Sequence, residues 1–152
     1  MKYQCEIVEQ TTQPVACIRT RCDAKDIPAV LGEGYGKIMH HLMSIGVTPT
    51  GMPYTAYFNM DMSDLDIELG MPVAEPFSGS EEVVSGQMLS GKYAVTVHTG
   101  PYGELEPAYT ALSEWMSMNG CVPVGVAYEF YMNDPGETRP EDLVTRIMFP
   151  LK

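Results

Sequence analysis

Hydrophobic and polar positions along this chain recur with two periods, one near 2 and one near 3.6, and the order of those periods repeats. Residues 3–9 and 14–22 read as strands. Val15-Ala16-Cys17-Ile18-Arg19-Thr20-Arg21 mixes β-formers with alternating polar positions, and Gln13-Pro14 marks the turn between the two strands. Residues 26–45 read as a helix, with Asp26 as its cap, Pro28 in the first turn and Gly46 at the stop. Ile38, Leu42 and Ile45 line one face of it, while Gly32, Gly34 and Gly36 weaken its first half. Strands follow at 52–60 and 65–73, with Pro72 placed for a strand terminus or edge. Residues 74–82 form a polar linker. Beyond it come strands at 83–89 and 92–99, joined by Ser90-Gly91 as a hairpin signal. A helix covers 104–119, with Leu105, Ala108, Leu112, Trp115 and Met116 on one stripe and Gly120 ending it. Strands at 125–132 and 143–149 close the pattern, separated by a loop that opens on Asn133-Asp134-Pro135-Gly136.

The two halves read as copies of each other. With Tyr35 aligned on Tyr109, a shift of 74 residues, Gly46 meets Gly120, Pro49-x-Gly51 meets Pro123-x-Gly125, Tyr54 meets Tyr128, Tyr57 meets Tyr131 and Asn59 meets Asn133. The shift becomes 78 at Pro72 and Pro150, and at Ala16 and Ala94. The four-residue changes fall in predicted loops, where insertions are tolerated. The reading is therefore one α+β domain of two internal repeats, about 1–75 and 83–152, each a strand–helix–strand–strand unit after a leading strand. An antiparallel sheet with two helices on one side is the packing this order favours. The opposite sheet surface, around the pseudo-twofold, is expected to form a ligand cleft.

Composition narrows the partners. The chain has 152 residues, 20 of them acidic and 9 basic, for a formal net charge of -11. Binding nucleic acid needs clustered Lys and Arg to neutralise phosphates, and no such cluster occurs. No apolar run approaches the roughly 18 residues that span a bilayer. Met1-Lys2-Tyr3-Gln4-Cys5-Glu6 lacks the apolar core of a signal peptide, so a cytoplasmic location is expected. Cys5, Cys17, Cys22 and Cys121 include no C-x-x-C pair and read as reduced packing residues.

Chemistry is concentrated at one asymmetric position. The second copy has Glu129 where the first has Thr55. Side chains alternate faces along a strand. Val126, Tyr128, Phe130 and Met132 are expected to face a helix-packed core, with Gly125, Ala127, Glu129 and Tyr131 on the other side. Tyr57 is the mate of Tyr131. Two aromatic walls and one anion suit a lipophilic cation, because a ring face contributes about 0.5–2 kcal/mol and a buried carboxylate adds Coulomb attraction. A merely solvated strand face is the competing reading.

His98-Thr99-Gly100-Pro101-Tyr102, the helix with Tyr109, Leu112 and Trp115, Pro123-x-Gly125, and Tyr128-Glu129-Phe130-Tyr131-Met132-Asn133-Asp134-Pro135 together resemble the GyrI-like family, also described as AraC-type or BmrR-type effector-binding domains. That resemblance implies a duplicated fold with a central ligand cleft, and a buried glutamate, here Glu129, binding cationic lipophilic compounds among aromatics. It implies a stand-alone binder of such small molecules, with no DNA-binding module before Met1, and Tyr131, Tyr57, Trp115 and Tyr102 as further contacts. Trp115 also fits core packing, and Tyr102 a rim. Two alternatives stay open. One is a hydrolase of cyclopropane-bearing electrophiles in which Glu129 orients or deprotonates water. The other is a gyrase-modulating protein. No cofactor or metal is expected. His40 and His41 are adjacent and cannot both face one ion from a helix. Asp61, Asp64, Asp66 and Glu68 lack calcium-loop spacing. His98 is expected to hydrogen-bond locally at a strand end.

Overall fold

A computed structural model gives the fold, and the structure describes residues 3–152. Every predicted strand and helix is present, with ends displaced by up to three residues. The strands are β1 (Cys5–Gln10), β2 (Gln13–Cys22), β3 (Tyr54–Tyr57), β4 (Leu65–Pro72), β5 (Val84–Met88), β6 (Gly91–Thr99), β7 (Ala127–Tyr131) and β8 (Val144–Pro150). The helices are α1 (Ile27–Ser44) and α2 (Glu106–Met118). Gly46 and Gly120, at φ 72° and 68°, stop the two helices in the left-handed conformation that a β-carbon disfavours. Pro72 ends β4, as expected. Asp26 does not cap α1 with its side chain. A 3-10 turn over Ala24–Asp26 precedes the helix, so Asp26 is already helical, and the carboxylate of Asp23 accepts from Lys25 N–H instead.

The chain forms two compact units. One holds β1, β6, β8 and β7 in that order, with α2. The other holds β5, β2, β4 and β3, with α1. All of the pairings within each unit are antiparallel. The expected hairpins at Gln13-Pro14 and Ser90-Gly91 do not form. β1 pairs with β6, and β5 pairs with β2, so each leading strand joins the long strand of the other repeat. Gln13 and Gly91 already belong to β2 and β6. Gly91, at φ 139°, is the first residue of its strand, in a conformation that a side chain disfavours.

The duplication extends to single hydrogen bonds. Asn59 accepts from Asp66 N–H at 2.9 Å and donates to the Asp64 carbonyl at 2.9 Å. Asn133 accepts from Val144 N–H at 3.0 Å and donates to the Asp142 carbonyl at 2.9 Å. Thr50 N–H to Pro72 carbonyl, 2.9 Å, matches Val124 N–H to Pro150 carbonyl, 3.0 Å. Val47 N–H to Leu42 carbonyl matches Cys121 N–H to Met116 carbonyl, both 2.9 Å. Each partner is displaced by the shift that its segment shows in the sequence, 74 or 78 residues. Loops that differ in length thus preserve the same terminal locks.

Each helix packs its apolar stripe on one face of its own sheet. Ile38 and Leu42 of α1 are fully buried against Ala16, Ile67 and Leu69. Ile45, expected on that stripe, is 40 % exposed, because it lies past the last turn of the helix. Ala108, Leu112 and Met116 of α2 are buried against Ala94 and Ile147, with Trp115 partly buried at the margin. Among the described residues no helix is long and apolar enough to cross a membrane. The four cysteines are free, and burial first, then the Glu68 carboxylate, pushes the Cys17 thiol up to about 12.

Candidate functional site

Glu129 stands at the centre of β7 and is 7 % exposed. Its face can be read from the strand register. Residues directly opposed on antiparallel strands project to the same side. Glu129 opposes Ile147, which belongs to the core beneath α2. Tyr109, on α2, donates its hydroxyl to Glu129 Oε2. The carboxylate therefore lies on the helix-packed face, and the expected assignment of faces is reversed. Tyr128 and its partner Met148 occupy the opposite face, where Tyr128 meets Tyr93 edge-on at 6.3 Å. The inversion has a physical cause. Both faces of β7 carry buried residues, so polarity does not mark the outer one. Glu129 is tolerated inside because phenols satisfy it.

The local geometry is a carboxylate between two hydroxyls. Tyr109 contacts Oε2, and Tyr131 donates to Oε1 at 3.1 Å. Tyr131 is two residues along the same strand, so it shares the face of Glu129. Tyr102, on a 3-10 turn just before α2, tilts its ring against Tyr131 at 5.4 Å between centroids. Among the described residues Glu129 has no cationic side chain paired with it. Burial raises its pKa above the ordinary carboxyl value, opposed only in part by the two phenolic hydrogen bonds. Burial also raises the Tyr102 hydroxyl, helped by Asp134 and Glu129. Among the described residues the site is thus a desolvated acid without a counter-charge, beside aromatic rings.

The first copy is an internal control. Tyr35 of α1 takes the place of Tyr109, and its hydroxyl donates to the Tyr54 carbonyl at 2.7 Å and lies 3.2 Å from Thr55 Oγ1. Thr55 is fully buried, and Glu129 nearly so. A helical tyrosine therefore reaches the equivalent strand position in both units, and only the second unit presents an acid to it.

Of the residues expected from sequence, Glu129, Tyr131 and Tyr102 come together in one unit. Tyr57 lies in the other unit, half-buried against the core beneath α1. Trp115 packs at the margin of the core beneath α2, six residues on from Tyr109, and Glu129 takes its hydrogen bonds from Tyr109 and Tyr131. Tyr109 is the contact that the sequence reading passed over. Its alignment with Tyr35 and the 20-residue spacing shared by Tyr35–Thr55 and Tyr109–Glu129 were the available signal. Two shallow depressions also lie on this unit. One runs along Glu106, Pro107, Thr110 and Glu114, and the other along Gln4, Glu6 and Val97. Neither is lined by Glu129 or its phenols.

Solved structures share this α+β architecture. The C-terminal domain of EcmrR is 20 % identical, with a TM-score of 0.81, over 100 % of this chain and 99 % of that one. EcmrR in its complex with DNA gives a TM-score of 0.86 at 21 % identity, over 99 % of this chain, which spans 57 % of the length of EcmrR. A hydrolase encoded by lin2189 from Listeria innocua gives 0.73 at 15 % identity, over 98 % and 92 % of the two chains. SAV2435, solved bound to tetraphenylphosphonium, gives 0.62 at 11 % identity over 100 % and 94 %. No curated protein matches the sequence. The fold, with its internal repeat, is of the α+β class. Residues 3–152 match the GyrI-like small molecule binding domain, and the chain belongs to the GyrI-like family.

Proposed function

We propose that this domain binds lipophilic cations at Glu129, with Tyr131 and Tyr102 as stacking walls and Tyr109 as the group that holds the carboxylate. The observation that carries the reading is a buried acid held by two neutral hydroxyls and facing no cation among the described residues. A carboxylate costs free energy where it sits, and a cationic ligand supplies the missing charge. Each carboxylate oxygen accepts from one phenol and keeps a second lone pair free to face a ligand. SAV2435, a distant structural neighbour, was solved with a phosphonium cation, which supports that choice of ligand class.

Turnover is the second reading. A carboxyl with a raised pKa beside two phenols can shuttle a proton to or from water, as a hydrolase requires. One experiment separates the two. Purified protein and its Glu129→Gln variant are mixed with tetraphenylphosphonium and, in parallel, with cyclopropane-bearing electrophiles, following binding by calorimetry and ligand mass in the same samples. Saturable binding of the cation at unchanged mass, weakened in the variant, supports the binder. Catalytic gain of one water by an electrophile, lost in the variant, supports the hydrolase. Cation affinity that is equal in both proteins refutes the role of the carboxylate.

A further inference from the structure

The face that carries Glu129 continues into a second polar group. Tyr131 opposes Thr145 on β8, and Thr145 opposes His98 on β6. Three neighbouring strands therefore place Tyr131, Thr145 and His98 in one row on the side of Glu129. Thr145 is fully buried and His98 is 4 % exposed. Thr145 Oγ1 and His98 Nε2 are both buried and have no hydrogen-bond partner among the described residues. The adjacent row behaves differently. Thr96 donates to the Gln4 carbonyl at 2.8 Å, and Glu129 has its phenols.

Such orphans are rare because an unpaired buried polar atom is destabilising. His98 is fixed rather than loose. Its Nδ1 is 2.9 Å from the Tyr3 hydroxyl, and the two rings stack at 5.9 Å. Whichever tautomer Tyr3 selects, Nε2 keeps one unused hydrogen-bonding function. The chain next to it is kept open. A β-carbon at Gly100 would come within 3.1 Å of Nε2, and that glycine, at φ 143°, leads into the turn carrying Tyr102. The segment covering the orphaned nitrogen is therefore the one whose tyrosine lies against Tyr131.

We infer that His98 and Thr145 form a second, hydrogen-bonding pole of the Glu129 site, so that its ligand carries a cationic centre at one end and a hydroxyl, carbonyl or amide at the other. The inference rests on the cation-binding reading above. Strand spacing sets the separation of the two poles. Two residues along β7 and one or two strands across place the second pole about 8–12 Å from Glu129. A purely apolar cation leaves it unused.

The test compares tetraphenylphosphonium with its 4-hydroxyphenyl and 4-carbamoylphenyl derivatives, on the full chain and on Thr145→Val and His98→Phe. At least one derivative should bind the natural sequence about 5–10-fold tighter than the parent, as one satisfied hydrogen bond provides. That ratio should fall to about one in both variants. Ligand-free Thr145→Val should also melt higher, by about 2–4 °C, because an orphaned hydroxyl has been replaced by a methyl group of the same shape. A ratio near one in the natural sequence, a ratio that survives in both variants, or a lower melting point for Thr145→Val would each overturn the inference. If the parent cation binds and depends on Glu129 while no derivative gains, the second pole alone is wrong. If no probe depends on Glu129, the cation-binding reading falls with it.

Discussion

Replacing Glu129 by Gln keeps the size and planarity of the side chain and removes its charge. The cost to a bound cation can be worked from the site. A charge about 4–5 Å from the carboxylate, at an effective dielectric near 20, gains roughly 3–4 kcal/mol. Part of that is returned, because the charge of the ligand is desolvated as it enters the site. A net loss of about 2–3 kcal/mol is expected, which is roughly 30–150-fold in Kd. The aromatic contribution from Tyr131 and Tyr102 is unaffected and leaves measurable binding. The assay is calorimetry on the natural sequence and the variant, with tetraphenylphosphonium and a neutral analogue of matched shape. The neutral analogue should change by less than threefold. If both ligands weaken equally, the substitution has disturbed shape and the Coulomb reasoning is wrong.

Other consequences are as direct. Cation affinity should fall as pH drops through the raised carboxyl pKa, because binding then has to expel a proton; calorimetry from the ordinary carboxyl range upward, in buffers of different ionisation enthalpy, should detect that proton release, and Glu129→Gln should show none. Tyr109→Phe removes a hydroxyl that holds the charged form, so it should move the pH midpoint of cation binding upward. Tyr35→Phe, its mate in the other unit, should leave that midpoint in place and lower stability by about 1 kcal/mol, read by chemical denaturation, for the lost bond to the Tyr54 carbonyl. Asn133→Ala removes two hydrogen bonds that close the β7–β8 loop and should lower Tm by about 2–6 °C, with Asn59→Ala giving a similar loss.

The sequence made the repeat legible because each landmark has a local physical cause. Gly46 and Gly120 were readable as helix stops, Asn59 and Asn133 as matching landmarks, and Ile38, Leu42, Ala108 and Leu112 as helical stripes. Strand partners were not readable. Gln13-Pro14 and Ser90-Gly91 look like hairpin turns, yet β1 finds β6, and β5 finds β2, through pairings that no local signal encodes. Parity of faces failed for a related reason. Alternation identifies the buried side only when one side meets water, and β7 buries Tyr128 and Glu129 on opposite faces. Glu129, Tyr131 and Tyr102 stood out as candidates in the strand and the turn, and they lie together. Tyr109 was hidden as one of several aromatics on an amphipathic helix, and Thr145 and His98 gain meaning only when three strands are laid side by side.

The duplication also allows the cost of the acid to be measured inside one molecule. At the same strand position, beneath the same helical tyrosine, one unit places Thr55 and the other Glu129, both buried. Thr55 needs no charge and meets its hydroxyl partner locally, so a threonine suffices for the fold. Glu129 is held with its pKa raised, so the native state binds that proton more tightly than the unfolded chain does. Stability contributed by the group is complete below the ordinary carboxyl pKa and is lost as pH rises through the raised one. Glu129→Thr should remove that decline. At pH 8 the variant should equal or exceed the natural protein by about 0–2 kcal/mol, because relief of the buried charge outweighs the lost volume. Near pH 4 the protonated carboxyl carries no charge, only the volume loss remains, and the variant should be the less stable of the two. Urea unfolding at both pH values reads the crossover. A variant equally destabilised at pH 4 and pH 8 would show that Glu129 serves the fold as packing, and its charge would then need no ligand to explain it.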